Sequence, residues 1–346
     1  MSVESLSLKG FTVFEDASFD FVQGVNVFIG ANGTGKTHAM KAVYALLRSF
    51  EDPRTTVDTR AALRQKLAGV FRPDDDNVGR LVRRVRGHGN AEVDVRVGGA
   101  NYRFALRQVA SDPVHRMTRT RRSTPSSVFL PSREVLSLFE GFESLYRARE
   151  ISVDETYADA IEALALPPLR GVRPGVLGAV ARELEAAVSA RVVRDGPRFY
   201  LKETTGAKIE AHLAAEGHRK IATILQLISN GSLRDRAVLF WDEPEANLNP
   251  ILSELVVDAV HKLATAGVQV MLATHDYLIA SRLSLLGESG EKDAPIRFFA
   301  LKRARKGPAE VTTADRLPDI EDNLLIDAIR SHNRYQREVA AESVGT

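Results

Sequence analysis

No cysteine occurs among the 346 residues, which excludes disulfides and thiolate-held metals and is compatible with a reducing compartment. An excess of positive charge is also lacking: the formal net charge is +2, so any contact with nucleic acid has to be local. No apolar run is long enough to cross a membrane. Glu4, Lys9 and Glu15 interrupt the N-terminal stretch where a secretory signal needs an unbroken apolar segment. A cytoplasmic protein without a membrane partner is therefore expected. Sustained heptads and fixed-period repeats are missing as well, which argues against coiled-coil arms and solenoids. What remains is ordinary soluble composition, 44% hydrophobic and 27% charged, in a chain long enough for two lobes or one elaborated domain.

Against that plain background Gly30, Ala31, Asn32, Gly33, Thr34, Gly35, Lys36 and Thr37 spell a complete phosphate-binding loop of the GxxxxGK[ST] type. Val25 to Ile29 reads as a buried strand before it, and Met40, Val43, Leu47 and Phe50 recur at helical spacing after it. Glycines let consecutive N–H groups face inward, and the helix dipole adds to their attraction for phosphate oxygens. Lys36 is expected to reach the β- and γ-phosphates of ATP, and the Thr37 hydroxyl to be one ligand of Mg²⁺. His38, the next residue, is grouped with the loop as a nucleotide contact.

Leu6, Leu8, Phe19 and Phe21 alternate with polar residues, as in half-buried antiparallel strands. Residues 51–90 read as a helix with loops. Val93 to Val97 and Tyr102 to Val109 form a hairpin around Gly98 and Gly99, and Ser111 to Ser127 is expected to be a mobile connection. From Arg133 to Arg191 the pattern is mostly helical and is taken as a separate lobe. Then Ala237–Trp241 and Val268–Ala273 are continuous apolar runs flanking a helix at Leu252–Ala264, the signature of parallel strands covered on both faces. The expected divisions are 1–132 and 192–315 for the two parts of the nucleotide core, 133–191 for the helical lobe, and 316–346 for a C-terminal amphipathic helix and tail.

Asp242-Glu243-Pro244 follows the first of those runs. The Asp242 carboxylate is the expected second Mg²⁺ ligand, and Glu243 is placed to polarise the water that attacks the γ-phosphorus. A further strand ends at Thr274-His275-Asp276, and His275 there can face the γ-phosphate, since ligands of open α/β sheets collect at such strand ends.

Taken in order, the glycine loop, Ala215-Glu216-Gly217-His218, the run Asp242 to Pro250 and Ala273-Thr274-His275-Asp276 resemble ABC-type ATPases of the RecF, SMC and OLD branch. The likeness runs from about Leu6 to Phe299. Transporter subunits usually carry threonine and serine where this chain has Glu245 and Ala246. Together with Phe129-Leu130-Pro131-Ser132-Arg133-Glu134, the chain looks most similar to small RecF-like AAA-type ATPase subunits of bacterial anti-phage defence systems. The resemblance implies an α/β phosphate-loop ATPase head and a head-to-tail homodimer around two ATP molecules. It also implies that Gly217 and His218, in the signature segment of one subunit, face the phosphate loop of the other, with Asn247 to Asn249 as the loop through which subunits sense each other.

Two positions depart from the family. Ala215 stands where relatives carry a serine that contacts the γ-phosphate, so backbone N–H groups, His218, Arg219 or Lys220 would have to replace it. No glutamine coupling metal to the helical lobe is evident beyond the candidate Gln108. Three basic clusters, Arg83/Arg84/Arg86, Arg116/Arg119/Arg121/Arg122 and Lys302/Arg303/Arg305/Lys306, are either solvated loops or phosphate contacts for DNA or RNA. The acidic cluster of the nuclease fused to OLD relatives is missing. The expected function is thus a Mg-dependent ATPase that controls a separate effector, a nuclease or toxin. A RecF-like DNA-repair ATPase, a nucleotide-gated scaffold with negligible hydrolysis and a transporter motor subunit are the competing readings.

Overall fold

The computed structural model describes residues 1–51, 58–84, 89–110, 112–120, 124–148, 151–169, 175–288, 294–305 and 307–321. Two sheets organise it. In the first, β1 (Val3–Phe11), β2 (Phe14–Asp20), β4 (Asn90–Val97), β5 (Ala100–Arg107) and β6 (Val114–Arg119) are antiparallel in the order β2-β1-β4-β5-β6. The second is mostly parallel, with β3 (Val25–Gly30), β7 (Ser127–Leu130), β11 (Val238–Asp242), β12 (Gln269–Thr274), β13 (Ile296–Arg303) and β14 (Ala309–Ala314) in the order β14-β13-β3-β12-β11-β7. A small third sheet joins β8 (Ala190–Asp195), β9 (Arg198–Glu203) and β10 (Lys208–Glu210). The helices are α1 (Lys36–Ser49), α2 (Thr59–Phe71), α3 (Phe142–Arg147), α4 (Glu155–Ala165), α5 (Gly175–Ala187), α6 (Glu216–Ser229), α7 (Pro250–Thr265) and α8 (Tyr277–Glu288).

The central parallel strands β3, β11 and β12 are mostly apolar because both their faces are covered. Val25, Val27 and Ile29 of β3 point into one core with Leu239, Trp241, Val270 and Leu272 and with the apolar stripes of α4 to α8. Phe28, Phe240, Met271 and Phe299 point the other way, into a core shared with α1 and the antiparallel sheet. Successive strand residues face opposite sides, so β3 is the seam between the two cores. Phe19, Phe21, Phe28 and Phe299 meet there at ring-centroid distances of 5.4 to 6.2 Å. Such pairs add about 0.5–1.5 kcal/mol each beyond area burial, which fastens the antiparallel sheet to the strand carrying the glycine loop.

Three expectations bear on this packing. The segment 133–191 is not a packing unit of its own: Tyr157, Ile161, Leu164, Val180 and Leu184 lie in the same core as β3, β11 and β12. Ion pairs tie it down further, with Lys41 to Asp154 at 2.7 Å, Lys66 to Glu155 at 2.5 Å, and the buried Tyr44 hydroxyl donating to Asp159 at 2.7 Å. Within the stretch expected to be a mobile connection, Val114–Arg119 is a strand paired with β5. Gln108 accepts from the Gly89 N–H at 3.2 Å, at the base of the β4–β5 hairpin. Arg86, Arg121, Arg122, Lys306 and nearly all of the C-terminal helix expected from Ile320 to Val339 lie outside the described residues. No helix among the described residues is long and apolar enough to cross a membrane.

Candidate functional site

β3, β11 and β12 run parallel in register, Asp242 beside Ala273 and Ala273 beside Phe28, so their C-terminal ends rise together at one edge. The glycine loop leaves β3 with Gly30 at φ 147°, Gly33 at 77° and Gly35 at 105°, values that L-residues avoid. Gly30 and Gly35 are also close approaches: a Cβ at Gly30 would lie 2.3 Å from the Leu301 carbonyl oxygen, and one at Gly35 2.6 Å from both Phe14 and Val13. Gly35 opens α1 without a side-chain cap, which leaves the first-turn N–H groups available to an anion.

Lys36 is buried, and its ammonium donates to the loop's own carbonyls, Gly30 at 2.7 Å and Ala31 at 3.2 Å. Burial lowers its pKa, opposed by the charges of Glu243, Asp242 and Glu245. Thr37 lies across from β11, its hydroxyl donating to Asp242 at 3.0 to 3.1 Å. Burial raises the Asp242 carboxyl to about 6, Thr37 opposes that shift and neighbouring Glu243 adds to it. A half-buried carboxylate beside a hydroxyl, without a salt bridge among the described residues, is an oxygen donor set that suits Mg²⁺.

Glu243 turns the chain at φ 46°, and His275 Nδ1 lies 3.4 Å from its Oε1 and 3.5 Å from Glu245 Oε1. The structure therefore brings together Gly30 to Thr37, Asp242, Glu243 and His275. His38 is placed differently. Its ring packs edge-on against Phe71 at 5.6 Å, and its Nδ1 is buried without a hydrogen bond among the described residues. Burial, with Lys41 and Arg303 nearby, pulls its pKa down to about 4. Between pH 6.5 and 4 the unfolded chain thus binds a proton that the folded chain refuses, so this histidine removes stability as pH falls through that window. Urea unfolding of wild type should lose about 2 kcal/mol more than His38→Gln on going from about pH 7.5 to about pH 5; equal losses would show the ring to be solvated. The raised Asp242 acts in the opposite direction and is common to both proteins, so the comparison removes it.

Gly217 is buried, and a Cβ there would lie 2.4 Å from Leu252, so this glycine lets α6 approach α7. His218 is only partly buried. Arg219 pairs with Glu134 at 2.9 Å and also donates to the Ala214 carbonyl. Lys220 donates to the carbonyls of Pro244 at 2.9 Å and Ala246 at 2.7 Å. Both cations are committed inside the subunit, and α6 begins after Ala215 without a side-chain cap. Asn247 donates to Glu216 at 3.3 Å, and Asn249 caps α7 through the Leu252 N–H at 2.9 Å.

Sequence reasoning placed Arg303 in a basic cluster without finding its partner. Its guanidinium donates to the Gly33 carbonyl at 3.2 Å, because β13 pairs with β3 and sets Leu301 beside Gly30. It braces the glycine loop instead of belonging to a free basic surface. An arginine spaced from a β-strand neighbour leaves no linear motif, so only the pairing reveals it.

A glycine loop ending one parallel strand, paired carboxylates ending another and a histidine ending the strand between them define an ABC-type ATPase head of the RecF and SMC kind. The chain belongs to the family described as "AAA domain, putative AbiEii toxin, Type IV TA system", which it matches over residues 25–281. It is similar to the DNA replication and repair protein RecF of Streptococcus agalactiae, 32% identical over 154 residues, 42% of this chain and 36% of that protein. RecF of Heliobacterium modesticaldum is 27% identical over 200 residues, 54% of this chain and 48% of that protein. The matched part thus spans less than half of either relative. Among solved structures, an SMC head bound to the C-winged helix domain of ScpA has the same fold, with a TM-score of 0.54 at 15% identity, over 91% of this chain and 98% of that one.

Proposed function

We propose that this chain is a Mg-dependent ATPase that closes head-to-tail around ATP with a second copy and thereby controls a separate effector, a nuclease or toxin, in anti-phage defence. The observation that carries the ATPase reading is the Thr37 hydroxyl on the Asp242 carboxylate, which joins the glycine loop to the acidic strand end across 205 residues of sequence. Thr37 and Asp242 would hold Mg²⁺. The cation bound there would neutralise phosphate charge and align the γ-phosphate for in-line attack. The N–H groups of the loop and of α1 would bind the phosphates, Lys36 leaving its loop carbonyls for phosphate oxygens. Glu243 would accept a hydrogen bond from the attacking water and take its proton. His275 would contact the γ-phosphate.

Pairing of subunits is supported by apolar side chains exposed along the same edge. Leu213 before α6 is 68% exposed and Ile251 at the start of α7 is 78% exposed. Leu278, at the start of α8, is exposed too. The defence role rests on the family description and on the likeness to defence ATPase subunits. RecF-like DNA repair is the second reading, favoured by the RecF relatives, and turnover stimulated by duplex DNA would select it.

Calorimetry tests the shared premise. Wild type should bind ATP with Mg²⁺ and release phosphate, while Lys36→Ala, which removes the ammonium facing three carboxylates, should lose at least about tenfold in affinity and nearly all turnover. Equal phosphate release by the two proteins would leave only a scaffold.

A further inference from the structure

Beyond Asp242 the chain folds back on itself, and the side chain that uses this turn is Glu245. The Glu243 N–H donates to the Ala273 carbonyl at 2.8 Å, so the turn stays beside β12. From there Glu245 Oε1 accepts two hydrogen bonds, from the Thr274 hydroxyl at 2.7 Å and from the His275 N–H at 3.0 Å. Thr274 in turn accepts from the Asp276 N–H at 2.9 Å, and Asp276 caps α8 through the Ile279 N–H at 3.0 Å. Lys220 grips the carbonyls on either side, those of Pro244 and Ala246. Glu245 is therefore fixed from its backbone and from its carboxylate at once.

Glu245 is only 8% exposed, and its second carboxylate oxygen, Oε2, has no hydrogen-bond partner among the described residues. A buried acceptor left unused is unfavourable. The imidazole of His275 lies beside the other oxygen, with Nδ1 between Glu245 Oε1 at 3.5 Å and Glu243 Oε1 at 3.4 Å. Two carboxylates thus flank one ring nitrogen. Glu245 is anchored by two donors and has a side chain 7% exposed, whereas the Glu243 side chain is 31% exposed and open to water. The partner that is already fixed and dry makes the stronger hydrogen bond.

We propose that Glu245 is the positioning residue of this site: it accepts the hydrogen bond from His275 Nδ1–H, fixes that tautomer, and holds the imidazole off Glu243. Nε2, on the far side of the ring from both carboxylates, is then presented to the open edge, and the Glu243 carboxylate is left to water. Which ring nitrogen carries the proton is set by the hydrogen bond the other end of the ring makes, and here that bond comes from a residue two positions after the base.

The test uses the full chain labelled with ¹⁵N-histidine, free of nucleotide, at about pH 8, with His275 assigned by comparison with His275→Gln. Wild type should show the Nδ1–H tautomer, and an Nε2–H spectrum overturns the proposal without any variant. Glu245→Ala should lose the preference, and Glu245→Gln should keep it because its amide oxygen is held by the same two donors. Thr274→Val removes a structural contact and leaves the acceptor for His275, so it too should keep the tautomer. In turnover, which alone depends on the ATPase reading, Glu245→Ala should lower kcat about a hundredfold and change KM for MgATP by less than about threefold. Glu245→Gln should restore most of that loss. A folded Glu245→Ala with the wild-type tautomer, or a Thr274→Val as damaging as Glu245→Ala, overturns the assignment. If wild type hydrolyses nothing, the ATPase reading fails while the spectra still decide this one.

Discussion

Glu243→Gln should bind ATP and Mg²⁺ as tightly as wild type yet turn over about a thousandfold more slowly, within the range that a general base contributes. The reason lies in the division of labour between adjacent carboxylates. Asp242 ends β11 facing the Thr37 hydroxyl and is half-buried, which suits a cation. Glu243 follows at a left-handed φ of 46°, and that reversal sends its side chain away from Thr37 toward His275 and open space. The amide of Gln keeps the shape and a hydrogen bond to water but takes no proton. With the reset step blocked, the ATP-bound pair should accumulate, seen as a nucleotide-dependent shift to twice the mass in light scattering. An unchanged rate of phosphate release from well-folded Glu243→Gln would remove Glu243 from the reaction.

What could be read from the sequence divides according to the range of the interactions involved. The glycine loop, the apolar strands at Val25, Val238 and Gln269, and the acidic turn after Trp241 were legible because local residues dictate them: glycine where φ is positive, uninterrupted apolar runs where both faces are covered. β6 was missed because it is an edge strand with one fully buried side chain, Val114, and its arginines and threonines read as loop. The packing of 133–191 was missed for the opposite reason. Lys41 and Asp154 are 113 residues apart, as are Arg303 and Gly33 by 270, and no periodicity records such meetings. Glu245 was visible only as a departure from transporter sequences; its partners, Thr274 and His275, come from the next strand. The family profile and the RecF relatives bear out the class of ATPase head, while the roles assigned to single residues rest on geometry and await measurement.

Gly30→Ala and Gly33→Ala should separate two kinds of glycine in one loop. At Gly30 φ is 147°, and a Cβ would sit 2.3 Å from the Leu301 carbonyl oxygen and 3.1 Å from the Thr34 hydroxyl. The first neighbour is backbone, held by the pairing of β13 with β3, so it cannot step aside without parting the strands. Strain of this kind costs about 1–3 kcal/mol and overpacking about as much again, so Gly30→Ala should lower the unfolding free energy by roughly 2–6 kcal/mol and abolish MgATP binding. At Gly33 φ is 77° with nothing within 4 Å of a Cβ, and only the left-handed backbone is penalised, by about 1–2 kcal/mol. Gly33→Ala should therefore stay folded and keep measurable, weakened binding. Urea midpoints and calorimetry on the two proteins give the comparison. If both variants lose stability equally, the close approach of β13 to the loop is not what requires glycine at position 30, and Arg303, which reaches the Gly33 carbonyl from the same strand, loses its bracing role with it.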